Sequence, residues 1–135
     1  MRTYVDAGVL IAAARGNGKL AERALGVLAD TTSREFVCSD YIKLEVIPKP
    51  TYFGRLAEVK FYEEFFAGVS TWLPFSVDHL DPAFQEACAA GLSAMDAIHV
   101  VVAVRSGCEE IVTSEKATSA IHRTKLIPVR SIDVD

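Results

Sequence analysis

Apolar positions along the chain alternate between short continuous runs and a helical spacing, with turn-forming residues at nearly every change. Residues 3–5 read as a first strand ended by Asp6. Ala7–Ala14 and Lys19–Asp30 read as helices separated by Gly16-Asn17-Gly18, and Leu20, Ala24, Val27 and Leu28 mark one apolar face of the second. Phe36-Val37-Cys38 is a short second strand, after which Ser39 or Asp40 can cap a helix carrying Lys43, Leu44 and Glu45. Pro48 and Pro50 break that helix and predict a turn. A longer helix is predicted from about Arg55 to Ser70, with Phe61, Tyr62, Phe65 and Phe66 on one broad face that reads first as core and second as a protein interface. Trp72–Phe75 predicts a third strand. Asp81-Pro82 predicts an N-cap with proline in the first helical position, and Gly91 a stop. Ser93–Val104 predicts another helix, Glu110–Val112 a fourth strand, Lys116–His122 a short helix and Leu126–Val129 a fifth strand. With no repeat or linker, residues 1–135 read as a single three-layer α/β/α domain around a mainly parallel five-stranded sheet.

Four acids sit in apolar frames within that pattern: Asp6 in Tyr4-Val5-Asp6-Ala7, Glu45 beside Leu44 and Val46, Asp96 in Ala94-Met95-Asp96-Ala97, and Glu115 after Val112-Thr113-Ser114. A carboxylate in such a setting is costly unless it is paired, hydrogen-bonded or bound to a cation. Asp6 ends the first strand, Glu45 lies in the helix after the second, and Glu115 lies just past the fourth. Asp96 opens a crossover helix, whose N-terminus lies at the same edge of the sheet as the strands' carboxyl ends. All four are therefore expected at the edge where open α/β sheets bind ligands. Hard oxygen donors there predict a cage for Mg²⁺ or Mn²⁺.

Three of the acids also have simpler roles open to them. Asp6 can cap the helix that follows, Ser93 to Asp96 fits a capping box, and Glu115 fits a helix start. Glu45 has no capping role. His99, one turn beyond Asp96 in Ala97-Ile98-His99-Val100, reads as a packed histidine, and His79 and His122 lack partners at ligand spacing. No phosphate-binding glycine loop occurs, since Gly16-Asn17-Gly18 lacks the Lys-Ser/Thr ending. Thr113 and Ser114 have no histidine arrangement for nucleophilic catalysis.

The net charge of −4 argues against a general nucleic-acid coat, but charge is unevenly spread. From Lys116 to Arg130 there are four basic residues and no acid, and Lys43–Lys60 carries Lys43, Lys49, Arg55 and Lys60 against Glu45 and Glu58. These stretches read either as solvated faces or as phosphate-contacting flanks of the acidic centre, with Lys43, Lys49, Arg55, Lys116 and Arg123 as candidate contacts. The apolar runs fall far short of the ~18 residues a membrane span needs. No signal peptide is apparent, and the three cysteines (Cys38, Cys88, Cys108) lack ligand spacing. They read as reduced thiols, a pair between two of them being the alternative, and a cytoplasmic protein is expected.

The ordered set Tyr-Val-Asp-Ala-Gly-Val-Leu-Ile at Asp6, Ser-Asp-Tyr-Ile-Lys-Leu-Glu-Val at Glu45, Met-Asp-Ala-Ile-His-Val-Val-Val-Ala at Asp96, and Val-Thr-Ser-Glu at Glu115 resembles a PIN domain over essentially the whole chain. The resemblance implies a Mg²⁺- or Mn²⁺-dependent endoribonuclease with Asp6, Glu45, Asp96 and Glu115 as metal and catalytic residues and Thr113 supporting them. It also implies an RNA substrate, a homodimer, and the toxin role of a VapC-type toxin–antitoxin pair with an antitoxin partner. The rival reading is a PIN-like module with a degraded site that binds RNA or protein. Two positions depart from the family pattern: Glu115 stands where Asp is usual, and Gly8 where many members carry serine or asparagine.

Overall fold

The structure is a computed structural model that describes residues 1–134; Asp135, counted above within the domain, lies outside the described residues. Five parallel strands, β1 (Arg2–Val5), β2 (Glu35–Ser39), β3 (Thr71–Leu73), β4 (Glu110–Thr113) and β5 (Val129–Ser131), lie in the order β3-β2-β1-β4-β5. β1 is central, with Tyr4 opposite Val37 on one side and Ile111 on the other. Tyr4, Val5, Val37, Ile111 and Val112 are almost wholly buried, because a parallel sheet is covered on both faces. The chain adds β2 and β3 to one side of β1 and then crosses back to add β4. Strand order thus reverses between β1 and β4, and the ligand crevice of such sheets opens at that reversal.

Helices α1 (Ala7–Arg15), α2 (Gly18–Ala29), α3 (Asp40–Val46), α4 (Pro48–Tyr52) and α5 (Leu56–Ala67) occupy the first two crossovers, and α1 packs on α2, α3 and α5. α6 (Leu80–Ala90) and α7 (Ala94–Arg105) pack on each other in the return crossover. Right-handed connections place these two groups on opposite faces. No single helix among the described residues is long and apolar enough to cross a membrane. Cys38, Cys88 and Cys108 are free thiols.

Several boundaries differ from the sequence expectation for identifiable reasons. Pro48 does end α3, yet the proline, needing no N–H in a first turn, starts the short helix α4 rather than a simple turn. Asp81 is not an N-cap: Ser76 caps a 3-10 turn at Val77–His79 that runs into α6, leaving Asp81 and Pro82 inside its first turn. β3 stops at Leu73, before Pro74, and the Phe75 N–H turns to the Asp40 carboxylate at 2.8 Å. The Lys116–His122 helix is reduced to a 3-10 turn over Ala120–Arg123. β5 lies later than predicted because Pro128 offers only its carbonyl to the ladder, accepting from Ile111 N at 2.9 Å. The Phe61–Phe66 face packs into or against the core, with Tyr62 fully buried; the exposed aromatics include Tyr52 and Phe53 of the α4 region, with Phe75 and Phe84 elsewhere.

Glu110 pins the opposite edge of the sheet. Its buried carboxylate accepts from Thr3 Oγ1 at 2.6 Å and Arg34 Nε at 3.0 Å, and Arg34 also reaches Asp30 at 3.1 Å. Burial pushes the Glu110 carboxyl up, but the Thr3 bond and Arg34 outweigh it and hold it below the ordinary glutamate range. A carboxyl lowered by folding stabilises the protein above its unfolded value, and that contribution is lost as pH falls through the folded value. Glu110→Gln is accordingly expected to cost about 1–3 kcal/mol in urea unfolding at pH 7. It should also flatten the acid limb of the stability profile; a variant as acid-sensitive as the parent would remove Glu110 from that role.

Candidate metal centre and its buried support

Asp6 is held by both neighbours of the strand-order reversal. As the N-cap of α1 it accepts from Val9 N at 3.2 Å through Oδ1, and Oδ2 accepts the Thr113 hydroxyl from the end of β4. Its own N–H donates to Val112 O at 3.0 Å. The predicted capping role is therefore real, and it also fixes the carboxylate at the crevice. Burial, first of all, pushes the Asp6 carboxyl above the ordinary aspartate range; the Thr113 and Val9 bonds and His99 oppose this, and Glu115 adds to it.

Asp96 sits in the first turn of α7, where Ser93 Oγ accepts from Asp96 N at 3.3 Å. The reciprocal half of a capping box is absent among the described residues: the Asp96 carboxylate takes no bond from Ser93 N–H. Capping thus leaves the carboxylate free to face the crevice. Its carboxyl is raised by burial, with Glu115 and Glu45 also raising it and His99 and Ser93 lowering it.

Glu45 lies in the last turn of α3, where the negative end of the helix dipole disfavours a carboxylate. The sequence gives no reason for an acid there; the structure provides a partner. Glu45 Oε1 accepts from His99 Nε2, and His99 Nδ1 lies 2.7 Å from the Tyr4 hydroxyl, itself 2.8 Å from Ser39 Oγ. One assignment satisfies every group: Ser39 donates to Tyr4, Tyr4 to His99 Nδ1, and His99 Nε2–H to Glu45. Burial holds the Tyr4 hydroxyl well above the ordinary tyrosine value, so it stays protonated as a donor. His99 is a packed histidine, as expected, at 3% exposure. Its role as the anchor of Glu45 was not read from the sequence, and neither were those of Tyr4 and Ser39. The bonds join residues 35 to 95 positions apart, which no local pattern encodes.

Glu115 follows β4 but begins no α-helix, so the helix-start reading does not hold. Its N–H donates to Thr113 Oγ1 at 3.0 Å, its Oε2 accepts from Ser119 at 3.1 Å, and its carbonyl accepts from Ser131 at 2.6 Å. Thr113 thus joins Asp6 to Glu115 through one hydroxyl. Of the basic candidates, Lys43, Lys49 and Lys116 are exposed, and the Arg55 guanidinium lies 5.6 Å from the centre of the Phe53 ring. Arg123 is engaged structurally, donating to Ala90 O and Gly91 O, both at 2.7 Å, at the end of α6.

The four carboxylates are electrostatic neighbours: Glu115 acts on both Asp6 and Asp96, and Glu45 on Asp96. An all-oxygen acidic donor set of this kind fits a hard divalent cation. Among the described residues, however, no three His, Cys, Asp or Glu side chains converge closely enough to hold an ion. Glu45 is drawn to His99, Glu115 to Ser119, and both Asp6 oxygens take internal bonds.

A family profile described as PIN domain matches residues 3–123. No curated protein matches the chain. Solved structures with the same fold include VapBC2 from Rickettsia felis bound to a promoter DNA fragment (11% identity, TM-score 0.73, covering 97% of this chain and 98% of that one). DNA-bound VapBC from Salmonella typhimurium is similar at 16% identity and a TM-score of 0.72, with 98% of each chain covered. VapC20 from Mycobacterium tuberculosis, a Sarcin-Ricin loop cleaving toxin, aligns at 15% identity and a TM-score of 0.67, covering 87% of this chain and 92% of that one.

Proposed function

The chain belongs to the PIN domain family, and from that membership we propose that it is a Mg²⁺- or Mn²⁺-dependent endoribonuclease. The observation that carries this reading is the group of mutually repelling carboxylates, two of them raised by burial, at the reversal of strand order. Capping and the Thr113 and His99 bonds account for part of Asp6 and Glu45, and a cation would offset the remaining repulsion. Asp6, Glu45 and Asp96 would hold the ion, with Glu115 completing the set. When bound, the cation supplies Lewis-acid polarisation of a phosphoryl oxygen and a more acidic attacking water. Thr113 keeps Asp6 and Glu115 in register, His99 aims Glu45, and the exposed Lys43, Lys49 and Lys116 would meet phosphates.

Cleavage of single-stranded RNA tests the reading, measured against Mn²⁺ concentration and after chelation for the parent, Glu115→Gln and Glu115→Asp. Cleavage should stop on chelation. Glu115→Gln should weaken it less than loss of Asp6, since three acids remain, and Glu115→Asp should keep or raise it. Superimposable curves for all three proteins would remove Glu115 from the site. Cleavage that survives chelation would refute the metal dependence, and absent cleavage would favour the second reading, a PIN-like binding module, to which the lack of a converged ligand cluster among the described residues lends its one argument.

The similar solved structures include DNA-bound VapBC and a chain described as a toxin, and we propose for this chain an antitoxin partner, a homodimeric state and a cytoplasmic setting. Exposed Tyr52, Phe53 and Leu56, within the Pro48–Ser70 region, support an interface there. Light scattering at high micromolar concentration should give a dimer; a monodisperse monomer would refute it.

A further inference from the structure

Between α3, α5 and the edge strand β3 opens a cavity of about 490 Å³, lined by Lys43, Ile47, Glu63, Phe66, Ala67 and Trp72. Small-ligand sites occupy roughly 300–1,000 Å³, so the space suits one compact guest. Trp72, the chain's one tryptophan, is half-buried and held in orientation. Its indole Nε1–H donates to Asp40 Oδ1 at 2.8 Å, and the Phe66 ring meets it at 77° with 5.2 Å between ring centres. Lys43 and Glu63 are exposed. Neither the Lys43 ammonium nor the Glu63 carboxylate has a hydrogen-bond or ion-pair partner among the described residues; Lys60 pairs with Glu64 instead. The cavity thus combines a held aromatic surface, a free cation and a free anion. Lys43 precedes Glu45 by two residues, which places it about 200° round α3. Since Glu45 turns to His99, one helix carries the crevice on one side and this cavity on the other. Glu63 begins the α5 wall about two turns beyond Leu56, further along the helix than the exposed residues that support association.

We propose that this cavity receives one unpaired nucleotide of a single-stranded RNA, with its base stacked on Trp72, its phosphate on Lys43 and an exocyclic amino group donating to Glu63. Each contact uses a different property of the guest. An indole face stacks on any base, and a lysine neutralises the backbone. A carboxylate accepts from the amino group that cytosine carries and uracil lacks. A purely aliphatic guest would cover both charges without pairing either, which is costly. The inference rests on the RNA reading above, adds a base-recognising contact to it, and requires no ion in the crevice.

As the one tryptophan, Trp72 reports on the cavity by its own emission. The full chain in EDTA, titrated with a short labelled oligocytidine, is followed by the anisotropy of the label and by Trp72 fluorescence. Quenching of Trp72 should saturate together with the anisotropy. One phosphate contact on a single strand contributes about 0.7 to the slope of log K against log salt. Lys43→Gln should therefore lower that slope by about 0.7 and weaken binding about fivefold at roughly 0.1 M salt. Trp72→Leu should weaken it about 5–150-fold, the range for one stacked base. The parent should prefer oligocytidine to oligouridine by about fivefold, and Glu63→Ala should erase the preference. A parent-like slope and affinity in Lys43→Gln overturn the proposal, as does RNA binding that leaves Trp72 emission unchanged. Quenching by cytidine monophosphate without oligonucleotide binding would mark a free-nucleotide site, and emission that shifts on dilution but not with RNA would mark an association surface; either overturns it. Cleavage with Mn²⁺ by a protein whose Trp72 ignores RNA removes this proposal alone. Neither binding in EDTA nor cleavage with Mn²⁺ removes the RNA reading and this proposal with it.

Discussion

Asp96→Asn is expected to abolish Mn²⁺-dependent cleavage and at the same time to raise the melting temperature of the metal-free protein. Replacing one ligand of a Lewis-acidic cation removes several kcal/mol of transition-state stabilisation, so the rate should fall at least about 100-fold. The gain in stability comes from the other side of the same arrangement. Asp96 is partly desolvated and repelled by Glu115 and Glu45, and its carboxylate is not used to cap α7. Asn keeps the shape and the backbone bond from Asp96 N to Ser93 while removing the charge. Saturating Mn²⁺ should stabilise the parent and not the variant, reversing their order of melting. Calorimetric melts with and without Mn²⁺, beside cleavage rates, check both halves. An active variant, or one destabilised without metal, would show that Asp96 serves the fold rather than the chemistry.

His99→Phe carries the second large effect. The substitution keeps a ring in the core but removes the donor to Glu45 and the acceptor for Tyr4. The buried Tyr4 hydroxyl then has only Ser39, and Glu45 is freed from its aim. Stability should drop by about 1–3 kcal/mol for the unsatisfied group. Cleavage at limiting Mn²⁺ should fall 10–100-fold, the range for loss of a residue that orients a metal ligand. His99→Gln, which retains an N–H toward Glu45, should recover part of the metal dependence even if it does not restore stability. Unaltered Mn²⁺ dependence in the Phe variant would confine His99 to packing.

Much of the fold was legible because each element carries its own local signal. Ser39, Ser93 and Asp6 announce their helices by capping chemistry, Gly91 adopts the left-handed conformation that stops α6, and the apolar runs of β1, β2 and β4 mark a sheet covered on both faces. What failed was local competition. Whether Pro48 ends a helix or opens one, and whether Pro128 lies in a strand or before it, depends on hydrogen bonds supplied from elsewhere in the chain. At the crevice, the position of the acids at one edge of the sheet was readable from topology, and Thr113 entered through the family resemblance alone. The Ser39–Tyr4–His99–Glu45 chain was not readable, since it exists only once β1, β2, α3 and α7 are packed together. Nor did the letters reveal that the Ser114 side chain fills the place beside Gly8, which follows from the packing of α1 against the end of β4.

The Thr113–Asp6 bond spans 107 residues, and Val112 receives the Asp6 N–H across the same junction. During synthesis, Asp6, Glu45 and Asp96 therefore leave the ribosome well before the strand that fixes the first of them. A nascent or prematurely terminated product lacking β4 would leave its central strand unpaired on one side and could not hold this crevice. Any hydrolytic power of the chain would then arise only after β4 has been made and has paired with β1.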